Sequence, residues 1–337
     1  MDSLDRHKPT NVSIFSGEDA IVDRPIRITA DQFGRAIIVD AADWSLNLLG
    51  IDGNLLFKTG RTGEGPGEYK LINQVEMFND NKLSVLDKKL YRLTFYSITE
   101  DSLTLIKTVN LPDYAPLRVV SIHSTSNNEF VGVFKKIGHP EDGNFIIHKL
   151  DTNFKPKNKL LELPGNDQLL LSGSNSRHID DALGARTHWV VSENKLSFAR
   201  SDELRIHPID LKDQSKEQVI FDREIPEYQK NSKTQKYLSE RFAPITNKFP
   251  DMANKLFERE LLPYFLKFAA ADRHFYFSIF NSGIAERGKI LQINKKTEAV
   301  KVIDVPKTFT LFSATNERLY GIIVKNNGAN DIAVIKL

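Results

Sequence analysis

The chain contains no cysteine. Disulfides, thiolate metal sites and cysteine nucleophiles are therefore excluded. Compartment is left open, because disulfide-free proteins occur on both sides of a membrane. Long apolar runs are also missing, and nothing approaches the roughly 18–20 residues of a membrane-spanning helix. The opening stretch, MDSLDRHKPTN, is polar and has no apolar segment of the kind a secretory leader carries. Either the protein is cytoplasmic or its leader lies outside this sequence. There is no excess of one charge: 46 Lys and Arg stand against 44 Asp and Glu, scattered without a long basic run. That balance gives no argument for a nucleic-acid partner.

What is present is a core-forming composition, 40% hydrophobic over 337 residues, and a repeat. The unit is about four short alternating strands separated by turns rich in Asp, Asn, Gly and Lys. Copies run over residues 26–58, 75–109, 119–163, 187–209, 264–303 and 309–336. A lone four-stranded sheet cannot bury both its faces, so such units pack side by side around an axis. The sixth copy stops after three strands, and residues 11–15 supply a spare strand ahead of the first copy. The expected fold is all-β: a single six-bladed β-propeller over residues 1–337, closed by the N-terminal strand 11–15 in blade six.

Two regions break the pattern. Residues 166–186 form a polar stretch with Ser, Asn and Gly. Residues 225–262, approximately, carry Tyr237, Leu238, Phe242, Met252, Leu256, Phe257 and Leu261 at helical spacing, punctuated by Pro226, Pro244, Pro250 and Pro263. This predicts a helical insertion between blades four and five.

The least ordinary segment is GRTGEGPGEY, residues 60–69, after the first copy. A phosphate loop would end in Lys-Ser/Thr and lead into a helix. This one ends in Glu68-Tyr69-Lys70 and leads into a strand. It reads instead as a blade connector: Gly63, Gly65 and Gly67 allow positive φ, Pro66 stiffens the bend, and Arg61 can pair with Glu64 or Glu68. Its remaining role would be at the channel mouth. Six copies, this loop and the helical insertion together resemble a Bacteroidetes-type family of six-bladed β-propellers, similar in shape to NHL and TolB-type propellers. The resemblance covers nearly the whole chain, with Tyr69 where Phe is common. It implies an exported or lipid-anchored protein in the periplasm or at the cell surface, and says little about chemistry.

Candidate site residues follow from composition of the connectors. Arg61, Glu64, Glu68, Arg177, His178, Arg186 and His188 are the expected channel-mouth binding residues. His178, Asp180, Asp181 and His188 could supply an oxygen/nitrogen metal site, although no HExxH or EF-hand spacing accompanies them. A solvated polar loop is the competing reading, and it applies equally to His139-Pro140-Glu141-Asp142. His123, His148, His207 and His274 lie in strand-like runs and are expected to be packed or surface residues. Ser172-Gly173-Ser174 lacks the spacing of a nucleophile elbow. Asp40, Glu76, Asp87 and Asp272 could surround a divalent ion in the channel, and Tyr264, Phe265, Tyr276 and Phe280 could stack on a sugar or fill the core.

The leading expectation is a non-catalytic recognition propeller for a glycan, peptide or protein, with no cofactor identified. One alternative is a metal-dependent hydrolase or lyase, lactonase-like or NHL-lyase-like, with a divalent metal in the channel. Another is an assembly scaffold using an apolar patch at Phe249, Leu256, Phe257 and Leu261.

Overall fold

A computed structural model describes residues 5–7, 11–15, 22–78, 81–126, 129–137, 143–171, 177–181, 183–192, 194–223, 232–247, 262–280, 285–325 and 328–337. The chain forms a six-bladed β-propeller with one helix among the described residues. Blade 1 consists of Pro25–Ala30, Ala36–Asp40, Ser45–Leu49 and Leu55–Thr59, in that order from the axis outward. Blade 2 consists of Ile72–Phe78, Lys82–Asp87, Arg92–Ile98 and Leu103–Asn110. Blade 3 is Leu117–Ser124, Phe130–Lys136, Phe145–Leu150 and Pro156–Leu163, and blade 4 is Thr187–Ser192, Lys195–Arg200, Leu204–Asp210 and Ile220–Arg223. Blade 5 is Phe265–Ala270, His274–Ile279, Gly288–Asn294 and Val300–Val305. Blade 6 is Phe309–Ala314, Arg318–Val324 and Asn330–Lys336, with Asn11–Phe15 antiparallel to its last strand, Val12 opposite Ile335. Asp5–His7 lies parallel to Val300–Val305 of blade 5.

The second strand of each sheet explains the run of β-branched and aliphatic residues there. Ala36–Asp40 is buried along its whole length, because both its faces meet neighbouring blades. The outer strand Leu55–Thr59 alternates between half-buried and exposed. Burial collects into six cores, one per blade junction: Val39 and Leu48 meet Leu83 and Tyr96, Phe95 meets Phe134, and Val133 meets Leu196. Ile206 meets Phe277, Ile303 meets Leu319, and Ile322 meets Ile38 across the junction between the last blade and the first. Tyr264, Phe265, Tyr276 and Phe280 belong to these cores and their extension, which is the core alternative for the aromatics.

Turn aspartates act locally. Asp31 Oδ1 accepts the N–H groups of Phe33 and Arg35, both at 2.9 Å, and Asp151 does the same for Asn153 and Lys155 at 2.8 Å. Asp40 and Asp87 end the second strands of blades 1 and 2 and tie that turn to the incoming connector. Asp87 accepts from Lys70, Leu71, Lys89 and Leu90; Asp40 accepts from Asp23, Arg24 and Ala42. These carboxylates accept backbone N–H groups and so hold the turns in place.

Three departures from the sequence reading stand out. Blade 4 has a fourth strand, Ile220–Arg223. The polar stretch 166–186 contains a hairpin, Gln168–Leu171 with Arg177–Asp180. Positive φ within residues 60–69 occurs at Gly60 and Gly67, not at Gly63 or Gly65. The helix Ser232–Thr246 covers part of the segment read as helical, and Leu238, Tyr237 and Phe242 pack with Leu169, Leu183, Leu262 and Phe280. The remainder of that segment, including Phe249, Met252, Leu256, Phe257 and Leu261, lies outside the described residues, as do residues 139–142 and 172–174.

Candidate functional site

The innermost strands start at the connector face and end at the opposite face, so the axis has two distinct mouths. Five of these strands carry a bulge, at Ile26, Asn73, Val120, Leu266 and Phe312. A bulge frees a carbonyl and re-aims the next side chain. The freed groups are taken up between blades: Arg27 Nε donates to Asn73 O at 2.9 Å, and Asn73 Nδ2 donates to Val120 O at 3.2 Å.

At the strand-end mouth, a cavity of about 670 Å³ is lined by residues of all six blades, among them Ala30, Glu76, His123, Trp189, Asp272 and Phe312. Gln74 is fixed to blade 3 in both directions, donating to Ile122 O at 2.8 Å and accepting Ile122 N–H at 2.9 Å. It also donates to Glu76, whose carboxylate lies 2.7 Å from His123 Nδ1. His123 Nε2 accepts from the Trp189 indole at 3.1 Å, so the ring proton faces Glu76. Ser121 Oγ lies 2.8 Å from the same Nε2. The serine thus shares one lone pair with an indole N–H, an arrangement that fixes the imidazole. His123, expected from sequence to be a packed or surface residue, lines this cavity. Glu76 and Asp272, read as channel carboxylates, do reach this cavity. Among the described residues no group of three or more His, Asp or Glu is gathered as a metal set.

The connector face holds GRTGEGPGEY. Arg61–Thr62 pairs in parallel with Glu68–Tyr69, and Arg61 Nε donates to Glu68 Oε1 at 2.8 Å. Glu68 Oε2 accepts the N–H groups of Glu64 and Gly65 at 3.0 and 2.8 Å. The glycine-rich loop is therefore an anion cradle filled by its own glutamate. A Cβ on Gly63 would sit 2.1 Å from that carboxylate, so a side chain there would displace Glu68 from the cradle. Backbone N–H bonds from Gly65, then Arg61, hold Glu68 below the usual carboxylate range; Lys70 does the same for Glu64. Arg92 donates to Glu64 O and Glu68 O, and Tyr69, fully buried, shares a 2.7 Å hydrogen bond with Tyr96. Arg61, Glu64 and Glu68 are thus engaged in shaping the connector.

Of the other expected site residues, Arg177 and His178 lie on the hairpin, their side chains outside the description. Asp180 accepts from Asn166 at 2.8 Å and lies 3.7 Å from Lys135; Asp181 is buried and accepts Leu183 N–H at 2.9 Å. His188 packs 5.3 Å from the Phe265 ring, and Arg186 donates to Asp181 O. Arg186 and His188 do come together, beside Lys267, at the connector end of the axis.

No curated protein matches the chain. By structure the chain is similar to a protein of Bacteroides fragilis NCTC 9343 described as exported, at 11% identity, TM-score 0.59 and 99% coverage of both chains. It is also similar to a DUF4221 family member from Bacteroides vulgatus ATCC 8482, at 10% identity and TM-score 0.56, covering 97% of this chain and 96% of the other. At these identities the likeness is one of fold. Residues 17–188 match the DUF5128 family, described as a 6-bladed beta-propeller, and the chain belongs to that family.

Proposed function

We propose that the protein is an exported, non-catalytic recognition propeller, NHL/TolB-like in type, that takes a polar group of a glycan or peptide partner into the strand-end mouth of its axis. The observation that carries this reading is the cavity of about 670 Å³ to which every blade contributes. Its lining mixes carboxylates, amides and one indole held in place by inter-blade hydrogen bonds, the kind of preorganised polar set that gives orientation at low entropic cost. The lone pair of His123 is already engaged by Trp189, which favours holding a ligand over activating a nucleophile. Export is supported by the description of the Bacteroides fragilis relative. In this reading Asn11–Phe15 closes the ring, and the helix Ser232–Thr246 packs on the connector side through Leu238.

The chain has two tryptophans, Trp44 and Trp189, so intrinsic fluorescence of a Trp44→Phe variant reports on the cavity. Titration with oligosaccharide and peptide pools should give a saturable change, weakened at least tenfold by Glu76→Gln, with the bound species recovered chemically unaltered. A folded protein with no saturable response to either pool, or one that releases altered ligand, overturns the proposal.

A further inference from the structure

Six cations converge at the connector end of the axis, opposite the cavity described above. Arg27, Arg118 and Lys267 lie on the innermost strands of blades 1, 3 and 5. Lys88 follows the second strand of blade 2, Lys135 sits on the second strand of blade 3, and Arg186 immediately precedes blade 4. Bulges one residue before Arg27 and Lys267 turn those two side chains relative to the regular pleat. Among the described residues, Asp180 is the one carboxylate within ion-pair distance of any of the six, 3.7 Å from Lys135, and it also accepts from Asn166. We propose that this cluster is a binding site for a compact multivalent oxyanion, a phosphate, sulfate or carboxylate-bearing group.

Three further observations support the site. Burial, followed by repulsion from Arg118, Arg27 and Lys135, pushes Lys88 down to about 8. Lys267, Lys135 and Arg27 are likewise held below their ordinary values, chiefly by burial. His188 Nε2 is shut off from solvent and has no hydrogen-bond partner among the described residues, and burial beside Lys267 and Arg186 pushes the ring down to about 3. Half-buried like charges with Asp180 as the one carboxylate beside them among the described residues are costly, and an arriving anion relieves that cost. The three arginines suit planar oxyanion recognition, and two are already held: Arg27 by Asn73 O and Ile26 O, Arg186 by Asp181 O.

The test is calorimetric titration of the full chain at pH 8 with inorganic phosphate, sulfate, citrate and a sulfated disaccharide, at ionic strength fixed with chloride. Saturable binding is expected, with proton uptake as the anion raises the pKa of Lys88, read from the dependence of the enthalpy on buffer. A Lys88→Gln/Lys267→Gln variant, which removes repulsion and so should fold, is expected to lose at least tenfold in affinity and most of the proton uptake. Lys325→Gln, outside the cluster, should behave as the parent. Equal affinity for the disaccharide and inorganic sulfate supports a site for the ionic group alone, and tighter disaccharide binding supports an acidic sugar. Heat effects reproduced by chloride, or affinity unchanged in the double variant, overturn the proposal.

Discussion

Glu68 occupies the place that a phosphate would take in the glycine-rich loop of residues 60–69. Its carboxylate takes two backbone N–H groups and the Arg61 guanidinium. Its pKa is lowered in the folded chain, so the stability it contributes is fully present above the unfolded value of about 4.3 and is lost as pH falls through the folded one. Glu68→Gln should therefore lower the melting temperature at pH 7, and the gap to the parent should close below about pH 4 in a pH series of thermal melts. This outcome was partly legible from residue types: Arg61, Glu64 and Glu68 announced an internally neutralised loop. Which glutamate Arg61 chooses was not, because that depends on the parallel pairing of Arg61–Thr62 with Glu68–Tyr69. The cation cluster was less legible still. Arg27, Lys88, Lys135 and Lys267 belong to four different blades, and no spacing along the chain announces residues that meet only on the axis.

At the scale of elements, alternation and turn residues located most strands, since a pleated sheet buried between neighbours demands that pattern. Ile220–Arg223 escaped because it is short, follows a polar turn and has few apolar positions. The hairpin Gln168–Leu171 with Arg177–Asp180 escaped because it belongs to no repeat and packs instead on Leu238 and Phe242 of the helix segment. The connector after blade 1 is pinned to blade 2 by the buried Tyr69–Tyr96 hydrogen bond. Tyr69→Phe or Tyr96→Phe leaves a buried hydroxyl without that partner and should each cost about 1 kcal/mol in denaturant unfolding. The double variant should cost less than the sum, since neither orphaned hydroxyl remains.

For the whole molecule, six inter-blade cores make each blade depend on two neighbours, so the ring should unfold as one unit. Residues 1–15 contribute Asp5–His7 to blade 5 and Asn11–Phe15 to blade 6. Their removal uncovers the edge of Asn330–Lys336, an unpaired row of backbone donors and acceptors. A chain lacking residues 1–15 is expected to melt at lower temperature and to self-associate in size-exclusion chromatography; a monomer of unchanged melting temperature would count against this.

The pairing of Val12 with Ile335 also has a consequence in time. The two partners lie more than 300 residues apart in sequence, so this ladder is among the least local contacts of the fold. Such contacts form slowly, because loop-closure entropy is spent before any of their stabilisation is gained. A polypeptide emerging N-terminus first therefore holds Asn11–Phe15 unpartnered until Asn330–Lys336 has been made. Completion of blade 6 should be the slowest folding step, since it waits on a strand made long after its partner.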